Sequence, residues 1–466
     1  MIKNTKKQYI FSSSRLEIYD MSCLIIHGHY LYYDAELSIQ QGTDVNGRCY
    51  FLIGNAYCTD MFPKQAIDDI INFSGNNLTA LTNHWTGRWV LICENELITD
   101  AAGLMSAFYW YEGEKWIISS SLAVISSVLS ESIYDSVPTI GLDWHLLPGT
   151  IMPNVNLLFC TQSINFSNGL KISFIERFTD KRHLSMVEKV NQVVCMLKTA
   201  LRNIKQYSGK EIYIALTAGK DSRLTLAAAL SAQVDFFTFT MEHQNMLSAD
   251  KTLPREIADN FGFSWHFIKM QKKSSTLYDE YLKFNGGNSK GADIVFYAMH
   301  QHQQIPHNAI VIRSGIFEAG QSYGRRVLGS TRETFQKSFI DYYQSSLKSE
   351  TQRLSFEKWL KYEKTHQITF VDIRDRFYIE QRVNGWVSAI EQALTINDFD
   401  SIQIANCQEL ISILISATEE ERFKNHLAYQ MINKLEPSLL EYPVNKQTVK
   451  DKFNIYQRAI IKRIFK

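Results

Sequence analysis

The sequence predicts an α/β protein in which antiparallel sheets precede a doubly wound parallel sheet and a helical C-terminal part. Three observations predict this order. Short runs of alternating apolar and polar residues fill positions 8–178, which is typical of antiparallel sheets. From position 186, strand-like and helix-like runs alternate, which favours a parallel sheet with helices on both faces. Beyond position 332, the pattern is mostly helical.

The N-terminal strands are predicted from short runs rich in β-branched and aromatic residues, which turn residues separate. These runs occupy residues 48–53, 89–92, 97–99, 108–111 and 115–119. One helix is predicted over residues 121–129, because Leu122, Ile125 and Leu129 recur at helical spacing.

The second part is predicted to begin with an amphipathic helix over residues 186–207. Strands are predicted at residues 211–216, 234–240, 265–268 and 309–312. Helices are predicted at residues 223–232 and 249–261. Each of these helices connects two strands, as the crossovers of a parallel sheet require.

Length and composition limit the function classes. With 466 residues, 45% of them hydrophobic, the chain is long enough for two domains with sizeable cores. The net charge of +1 gives no electrostatic support for nucleic-acid binding. The seven cysteines lack zinc-site spacing, and their odd number fits free thiols in a reducing compartment. No apolar window reaches the length of a membrane span or signal peptide, so we expect a cytoplasmic protein.

The most informative segment is residues 214–223, which read Ile-Ala-Leu-Thr-Ala-Gly-Lys-Asp-Ser-Arg. A buried strand ends here in a turn of small residues, and a helix follows. Backbone N–H groups and the helix dipole at such a turn bind phosphate. The Asp221 carboxylate would repel phosphate unless a divalent cation lay between them. The segment therefore predicts binding of a magnesium nucleotide, and the alternative is an ordinary polar turn.

This segment resembles the Ser-Gly-Gly-x-Asp-Ser pyrophosphate loop of the N-type ATP pyrophosphatases, and within them that of the asparagine synthetase-like enzymes. Gly219, Asp221 and Ser222 match the pattern, whereas Thr217 replaces Ser and Ala218 replaces the first Gly. The resemblance implies ATP and Mg²⁺ as cofactors and Asp221 as a metal ligand. It also implies nucleotide contacts from the loop residues Leu216, Thr217, Ala218, Gly219, Lys220, Asp221 and Ser222.

Several nearby side chains have two interpretations each. Lys220 reaches a phosphate or faces solvent, and Arg223 contacts phosphate or forms a salt bridge on its helix. Residues 377–386 are similar to a Phe-Tyr-x-x-x-Arg-x-x-x-Trp stretch of asparagine synthase-like proteins. Tyr378 and Arg382 would share one helix face there, where they line the substrate cleft or pack between helices.

A second loop follows the predicted strand at 309–312 and resembles the Ser-Gly-x-Gly-x-Asp-Glu segment of the same family. It keeps Ser314 and Gly315 but carries a single acidic residue, Glu318. The resemblance implies nucleotide contacts from Ser314 and Gly315. It implies that Glu318 is a catalytic group and the second metal ligand, and the alternative is a surface glutamate. Adenine recognition is implied at Thr240, mainly through backbone groups.

The segment 437–446 resembles a C-terminal family segment that precedes or carries a lysine. This resemblance implies that Lys446 is a catalytic residue that stabilises the transition state of adenylation. The alternative is a solvated loop lysine.

The N-terminal part resembles the glutaminase domain of asparagine synthetase-like proteins. The matching pieces occur in order and are Thr86-Gly87-Arg88-Trp89, Asp100-Ala101-Ala102-Gly103, Phe108-Tyr109-Trp110, Ile118-Ser119-Ser120 and Leu146-Leu147-Pro148-Gly149-Thr150. The resemblance implies an Ntn-hydrolase-like α/β sandwich of antiparallel sheets over residues 1–180 and an ATP-binding synthetase domain over residues 181–466. Met1-Ile2 stands where a working glutaminase has an N-terminal Cys nucleophile, so we expect no glutamine hydrolysis. The first domain would then give structural support or bind a peptide or partner protein.

The resemblance implies an ATP-dependent, AMP- and pyrophosphate-forming amide ligase that adenylates a carboxylate for attack by an amine or ammonia. An inactive glutaminase domain beside a synthetase domain is similar to lasso-peptide macrolactam cyclases, which implies a small-molecule or peptide carboxylate substrate and a partner protein of a biosynthetic cluster. The alternatives are asparagine synthase-like amidation in surface-polysaccharide biosynthesis and a non-catalytic nucleotide-binding protein. The near-neutral charge disfavours an enzyme that modifies nucleic-acid bases.

Overall fold

Twelve antiparallel strands form the N-terminal part of the computed structural model, which describes residues 6–18, 20–60, 62, 64–131, 141–243, 246–269, 289, 305–306, 308–395, 397, 399–445, 447–449 and 451–452. The strands are β1 (Tyr9–Ser12), β2 (Ser22–Ile26), β3 (His29–Tyr33), β4 (Ile39–Thr43), β5 (Cys49–Cys58), β6 (Trp85–Cys93), β7 (Glu96–Thr99), β8 (Phe108–Glu112), β9 (Lys115–Ser119), β10 (Asn156–Leu157), β11 (Gln162–Asn165) and β12 (Lys171–Phe174). They form two six-stranded sheets, ordered β10-β8-β9-β1-β3-β2 and β12-β11-β7-β6-β5-β4. Each of the five predicted N-terminal strands overlaps one of them.

The two sheets pack face to face because their strands send apolar side chains to both faces in alternation. In β1, Tyr9 and Phe11 enter the core between the sheets, whereas Ile10 enters a second core on the outer face. Three short helices cover the outer faces and are α1 (Ala66–Ile71), α2 (Leu78–Leu81) and α3 (Leu122–Leu129). The predicted sandwich of antiparallel sheets is therefore confirmed.

A five-stranded parallel sheet follows in the chain. Its strands are β13 (Glu211–Ala215), β14 (Phe236–Met241), β15 (Trp265–Ile268), β16 (Ala309–Arg313) and β17 (Asp400–Gln403). Their order is β15-β14-β13-β16-β17, and every neighbouring pair is parallel. The strand order therefore reverses between β13 and β16. At such a point the connections leave on opposite faces of the sheet and open a crevice at the carboxyl ends of the strands.

Helices cover both faces of the parallel sheet and make up the C-terminal part, as predicted. They are α4 (Met186–Ser208), α5 (Lys220–Ala232), α6 (Ser248–Phe261), α7 (Arg332–Tyr343), α8 (Glu350–Thr365), α9 (Ile373–Phe377), α10 (Ser388–Leu394), α11 (Gln408–Ile415), α12 (Glu419–Phe423) and α13 (His426–Leu435). α4, α5, α11 and α13 share one core with the sheet, while α10 packs on the opposite face. Helices α7 to α9 pack against the outer face of the first antiparallel sheet.

Three segments near the predicted site differ from expectation in their local structure. The helix predicted at 223–232 begins at Lys220, with Gly219 at its N-cap. The sequence pattern placed this first turn in the loop because Asp and Ser favour turns. An acidic residue is, however, also stabilised at a helix N-terminus. Residues Gly315–Gln321, expected as a loop, form a 3-10 helix. Residues Tyr378–Val387, expected as an α-helix, form a π-helix.

Four buried side-chain amides connect the antiparallel sheets to the C-terminal part. Gln352, Gln381, Asn384 and Asn406 have no exposed surface. Each accepts a backbone N–H and donates to a backbone carbonyl of the N-terminal part: Gln352 binds Leu146 and Trp144, Gln381 binds Leu147 through both groups, Asn384 binds Cys160 and Gly103, and Asn406 binds Ala102 and Gly87. A buried amide without these partners would lose its hydrogen bonds to water and form none in the protein, which costs free energy. The contacts therefore fix the position of the N-terminal part relative to the C-terminal part.

The Asp-x-x-Gly piece of the N-terminal resemblance lies at this junction. The Asp100 carboxylate accepts the backbone N–H groups of Leu104 and Met105 at 2.8 and 2.7 Å. It also accepts the Asn406 side-chain N–H at 2.8 Å. The motif therefore binds the C-terminal part through a buried polar network.

All seven cysteines are free, as expected. Within the described ranges, no helix is long and apolar enough to cross a membrane.

Replacing Asn406 with Ala should lower the free energy of unfolding by about 2 kcal/mol, because the N–H of Ala102 and the carbonyl of Gly87 would stay buried without this partner. Urea unfolding followed by circular dichroism measures the change. Asn95→Ala, at an exposed turn between β6 and β7, is the matched control and should change stability by less than about 0.5 kcal/mol. Equal effects of the two substitutions would show that the buried junction does not stabilise the fold.

Candidate active site

The loop after β13 is held in shape by side chains of its own residues and of α6. Ser222 Oγ accepts the Thr217 backbone N–H at 3.1 Å, and Thr217 Oγ1 accepts the Gly219 N–H at 3.1 Å. From α6, Asp250 Oδ1 accepts the Ala218 N–H at 2.7 Å. These contacts occupy the amides of residues 217–219 and fix the path of the chain into α5.

The N-terminus of α5 is the part of this segment that remains able to bind an anion. The N–H groups in the first turn of any α-helix have no partner within the helix, and the helix dipole adds partial positive charge there. In α5 these groups belong to Lys220, Asp221 and Ser222. A Cβ atom at Gly219 would lie 3.1 Å from Thr217 Oγ1, which explains why the residue before this turn has no side chain.

Ala218, which stands where the resembled loop pattern has its first glycine, is compatible with the loop. Its backbone does not have a positive φ angle, so the conformational freedom of glycine is not required. Its side chain is fully buried against Ala249 and Leu253 of α6. The replacement therefore adds apolar packing between the loop and α6.

Both oxygens of the Asp221 carboxylate accept hydrogen bonds. Lys220 Nζ lies 3.0 Å from Oδ1, and Gln321 Nε2 lies 3.0 Å from Oδ2. Lys220 is buried, with 8% of its surface exposed, so it does not face solvent. Its ammonium group compensates the Asp221 charge inside the crevice.

Glu318 lies on the 3-10 helix after β16 and comes close enough to Asp221 for their charges to interact. Burial raises the pKa of the Glu318 carboxyl above its ordinary value, and the negative charge of Asp221 raises it further. Arg382, Lys220 and a hydrogen bond with the Tyr378 hydroxyl oppose this shift. The structure thus brings together the two acidic residues that the sequence assigned to one site.

The two carboxyl groups form a small oxygen-rich site. Within the described residues, no group of three or more His, Cys, Asp or Glu side chains is placed to hold a metal ion. Mg²⁺ is commonly bound by one or two carboxylates, with water and substrate phosphates completing its octahedron. Asp221 and Glu318 fit this pattern of ligation.

Ser314 and Gly315 position the second loop. Ser314 Oγ lies 2.8 Å from Thr225 Oγ1 of α5, which ties the two loops together. The Gly315 N–H donates to Gln403 Oε1 at 2.8 Å, and its carbonyl accepts the Tyr378 hydroxyl at 2.9 Å. These groups are occupied in the structure, so their visible role is to orient the 3-10 helix that carries Glu318.

Thr240 and Leu216 lie side by side at the carboxyl ends of β14 and β13. The Thr240 hydroxyl donates to the Leu216 carbonyl at 2.7 Å and accepts the Trp265 indole N–H at 2.9 Å. Both residues are buried. The Thr240 side chain is therefore fully engaged, which leaves backbone groups for any contact with a base.

Arg223 forms no salt bridge with another described residue. Its guanidinium is fully buried and donates to the carbonyls of Leu439, Tyr442, Ala218 and Pro443 at 3.2, 2.6, 3.2 and 3.1 Å. The Asn445 N–H donates to the Ala218 carbonyl at 3.1 Å. Arg223 thus fastens the C-terminal segment 439–445 to the loop. Lys446, the predicted catalytic lysine, lies outside the described residues.

Several residues that shape the site were not found from the sequence. Asp250, Gln321 and Gln403 each form a hydrogen bond with one of the two loops or with Asp221. In each case the two partners are far apart in the sequence. Only Asp250 had a local signal, because an acidic residue in the first turn of a helix is a typical N-terminal pattern. Gln321 and Gln403 had no such signal.

A cavity of about 450 Å³ lies beside Glu318. Its lining includes Tyr323, Tyr342, Tyr343 and Arg326 as well as Glu318. Cavities of this size commonly hold small organic molecules. Glu318 therefore lies at the edge of a space that can hold a small molecule.

No family model matches the chain, and no curated protein matches it. The chain is similar to NMN synthetase from Francisella tularensis with 17% identity and a TM-score of 0.20, over 29% of this chain and 58% of that one. It is also similar to glutamine-dependent NAD+ synthetase from Acinetobacter baumannii in complex with ADP, with 11% identity and a TM-score of 0.21, over 60% of each chain. A third similar structure is glutamine phosphoribosylpyrophosphate amidotransferase from B. subtilis with ADP and GMP, at 9% identity and a TM-score of 0.20, over 67% of this chain and 65% of that one.

The chain spans about three fifths of the length of these solved structures. At this level of similarity they do not locate a site in this chain. The geometry around Asp221 and Glu318 is therefore the basis for a functional proposal.

Replacing Glu318 with Gln should stabilise the metal-free protein at about pH 8. The folded state raises the Glu318 pKa, so it binds this proton more tightly than the unfolded state and loses stability as the pH rises through the raised value. The variant lacks this loss, and its melting temperature should exceed that of the wild type at about pH 8. The difference should vanish below the ordinary value of 4.5, where both states carry the proton.

Thermal unfolding in buffers without divalent cations at both pH values measures this effect. Glu256→Gln is the control, because Glu256 lies on the exposed face of α6. A lower melting temperature of Glu318→Gln at about pH 8 would show that the carboxylate is not under electrostatic strain.

Proposed function

We propose that the protein is an ATP-dependent, AMP- and pyrophosphate-forming ligase that joins a carboxylate to an amine or ammonia. The observation that carries the proposal is the convergence of Asp221 and Glu318 beside the N-terminus of α5, at the reversal point of a parallel sheet. Ligands of open α/β sheets bind at this point. Acidic residues beside an anion-binding helix end are favourable when a cation is bound with the anion.

Different residues of the site would bind different parts of the nucleotide. The first-turn N–H groups of α5 and the Lys220 ammonium would bind the phosphates. Asp221 and Glu318 would hold Mg²⁺, which supplies positive charge at the phosphate oxygens when it is bound. Backbone groups near Leu216 and Thr240 would contact the adenine. Lys220 now compensates Asp221, and it would turn to a phosphate once the metal took over that role.

The reaction we propose has two balanced steps. A carboxylate oxygen attacks the α-phosphorus of ATP, the bond to the β-phosphate oxygen breaks, and pyrophosphate leaves. The amine nitrogen then attacks the acyl carbon, AMP leaves with the bonding electron pair, and the nitrogen releases a proton. Lys446 would stabilise the negative charge of the first transition state. The backbone N–H of the neighbouring residue Asn445 donates a hydrogen bond to the Ala218 carbonyl of the loop, which supports this assignment.

We propose a division of roles along the chain as well. Residues 181–466 would perform the chemistry, and residues 1–180 would act as a structural domain without glutaminase activity in a cytoplasmic enzyme. The buried amide junction supports this role, because the N-terminal part completes the hydrogen bonding of the C-terminal part. Among the amide-forming reactions, we propose macrolactam formation on a peptide carboxylate, with a partner protein of the same biosynthetic cluster. The cavity beside Glu318 has room for one terminal group of such a substrate.

Replacing Asp221 with Ala should weaken the binding of ATP in the presence of Mg²⁺ by at least about tenfold, because one of two carboxylate ligands is lost. Isothermal titration calorimetry with a non-hydrolysable ATP analogue, with and without Mg²⁺, measures the affinity. Mg²⁺ should strengthen ATP binding by the wild type more than binding by the variant. Asp259→Ala is the control, since that carboxylate is 71% exposed on α6.

The products of turnover test the reaction class. Incubation with Mg²⁺, ATP, an acyl donor and an amine should release AMP and pyrophosphate, which mass spectrometry and a pyrophosphate assay detect. Release of ADP and phosphate would reject adenylation. Unchanged Mg²⁺-dependent binding in Asp221→Ala would reject the assignment of the site.

A further inference from the structure

Arg382 is a cation that aromatic rings hold in place without neutralising it. Its guanidinium lies over the rings of Trp144, Tyr323 and Trp386, with centroids 5.7, 5.6 and 4.3 Å away. Cation–π contacts restrain a guanidinium but leave its N–H groups and its charge available to a ligand. The three rings come from three separate segments of the chain, so the position of the cation is fixed by the tertiary fold.

The guanidinium of Arg382 has no ion pair or hydrogen bond to another described residue. The Asp143 carboxylate is near enough for the Arg382 charge to lower its pKa, which burial raises, but it accepts the Trp386 indole N–H at 2.9 Å instead. Arg382 is partly exposed. Of the three arginines that line the cavity, Arg325 pairs with Glu419 and Arg422 pairs with Asp375, whereas Arg326 is exposed.

Arg382 lies beside the cavity, because its guanidinium packs on the ring of the lining residue Tyr323. Tyr323, whose ring it covers, lines the cavity together with Glu318, Tyr342 and Tyr343. A ligand in the cavity would therefore lie close to this positive charge as well as to Glu318.

We propose that Arg382 binds the carboxylate of the acyl substrate, and that the tyrosine-lined cavity beside Glu318 takes the terminal group that carries this carboxylate. This inference rests on the proposed ligase function, because that function supplies the reaction of the bound carboxylate. Binding of the carboxylate itself does not require ATP. A carboxylate that approaches Asp221, Glu318 and a triphosphate is repelled by all three. A free guanidinium offsets that repulsion and orients both carboxylate oxygens through a bidentate contact.

The π-helix places Arg382 at this position. Tyr378–Val387 is wound with a wider turn than an α-helix, and π-helical turns occur frequently at functional sites. Tyr378, on the same segment, is buried and bonds to the Gly315 carbonyl. Tyr378 thus fastens the π-helix to the loop of Glu318, while Arg382 remains open to a ligand.

The test uses two probes of nearly identical shape, 4-fluorobenzoate and the neutral 4-fluorobenzamide. Fluorine NMR of each probe with the full-length protein, with and without Mg²⁺ and a non-hydrolysable ATP analogue, measures its affinity. The wild type should bind the benzoate saturably. Arg382→Met should weaken benzoate binding by about tenfold or more and change benzamide binding less than about twofold. Arg382→Lys keeps the charge but not the planar guanidinium. Its affinity for benzoate should lie between those of the wild type and Arg382→Met.

The outcomes separate a binding role from a structural one. Equal losses of both probes in Arg382→Met, or no saturable benzoate binding by the wild type, would overturn the proposal. The control Arg255→Met, at an arginine that is 72% exposed on α6, should change neither affinity. If the wild type binds benzoate through Arg382 but does not bind Mg²⁺ and ATP, the ligase proposal fails and the carboxylate site stands. If the wild type binds the nucleotide but Arg382→Met shows no selective loss of benzoate, the carboxylate site fails and the ligase proposal stands.

Discussion

The buried amides at the junction are the constraint on which the rest of the molecule depends. Gln352, Gln381, Asn384 and Asn406 are removed from water, and their hydrogen bonds are completed by backbone groups of the N-terminal part. Any shift between the two parts would leave several of these groups unpaired at once, so the arrangement is strongly specified. One consequence reaches the candidate site directly, because the Trp144 carbonyl that accepts Gln352 belongs to the residue whose ring packs on Arg382.

Within the arrangement that the buried amides fix, the carboxyl groups of Asp221 and Glu318 lie close together despite their mutual repulsion. Neither loop can relax easily, because Asp250 and Arg223 hold the first while Gln403 and Tyr378 hold the second. Burial raises the pKa of Glu318 and the charge of Asp221 adds to that shift, while the Lys220 ammonium compensates the charge of Asp221. Raised pKa values of buried carboxyl groups cluster at functional sites. The two loops are fixed by contacts within the chain itself.

The sequence predicted the parallel sheet, the sandwich and the position of both loops, because each depends on local periodicity or on a run of small residues after a buried strand. It placed the start of α5 after Ser222, since the residues that favour a turn also favour the first turn of a helix. The π-helix was expected as an α-helix, because the pattern of apolar residues does not distinguish the two. The contacts of Arg223 with residues beyond 438 and of Gln403 with Gly315 leave no local trace, since they join segments far apart in the chain.

The attachment of segment 439–445 to Arg223 has a consequence for the order of assembly. During synthesis on the ribosome, β13 and α5 emerge long before the carbonyls of Leu439, Tyr442 and Pro443 that receive the buried guanidinium. Until then, Arg223 must remain hydrated, and the turn beside it lacks one of its supports. The loop after β13 is therefore among the last features of the fold to reach its final arrangement.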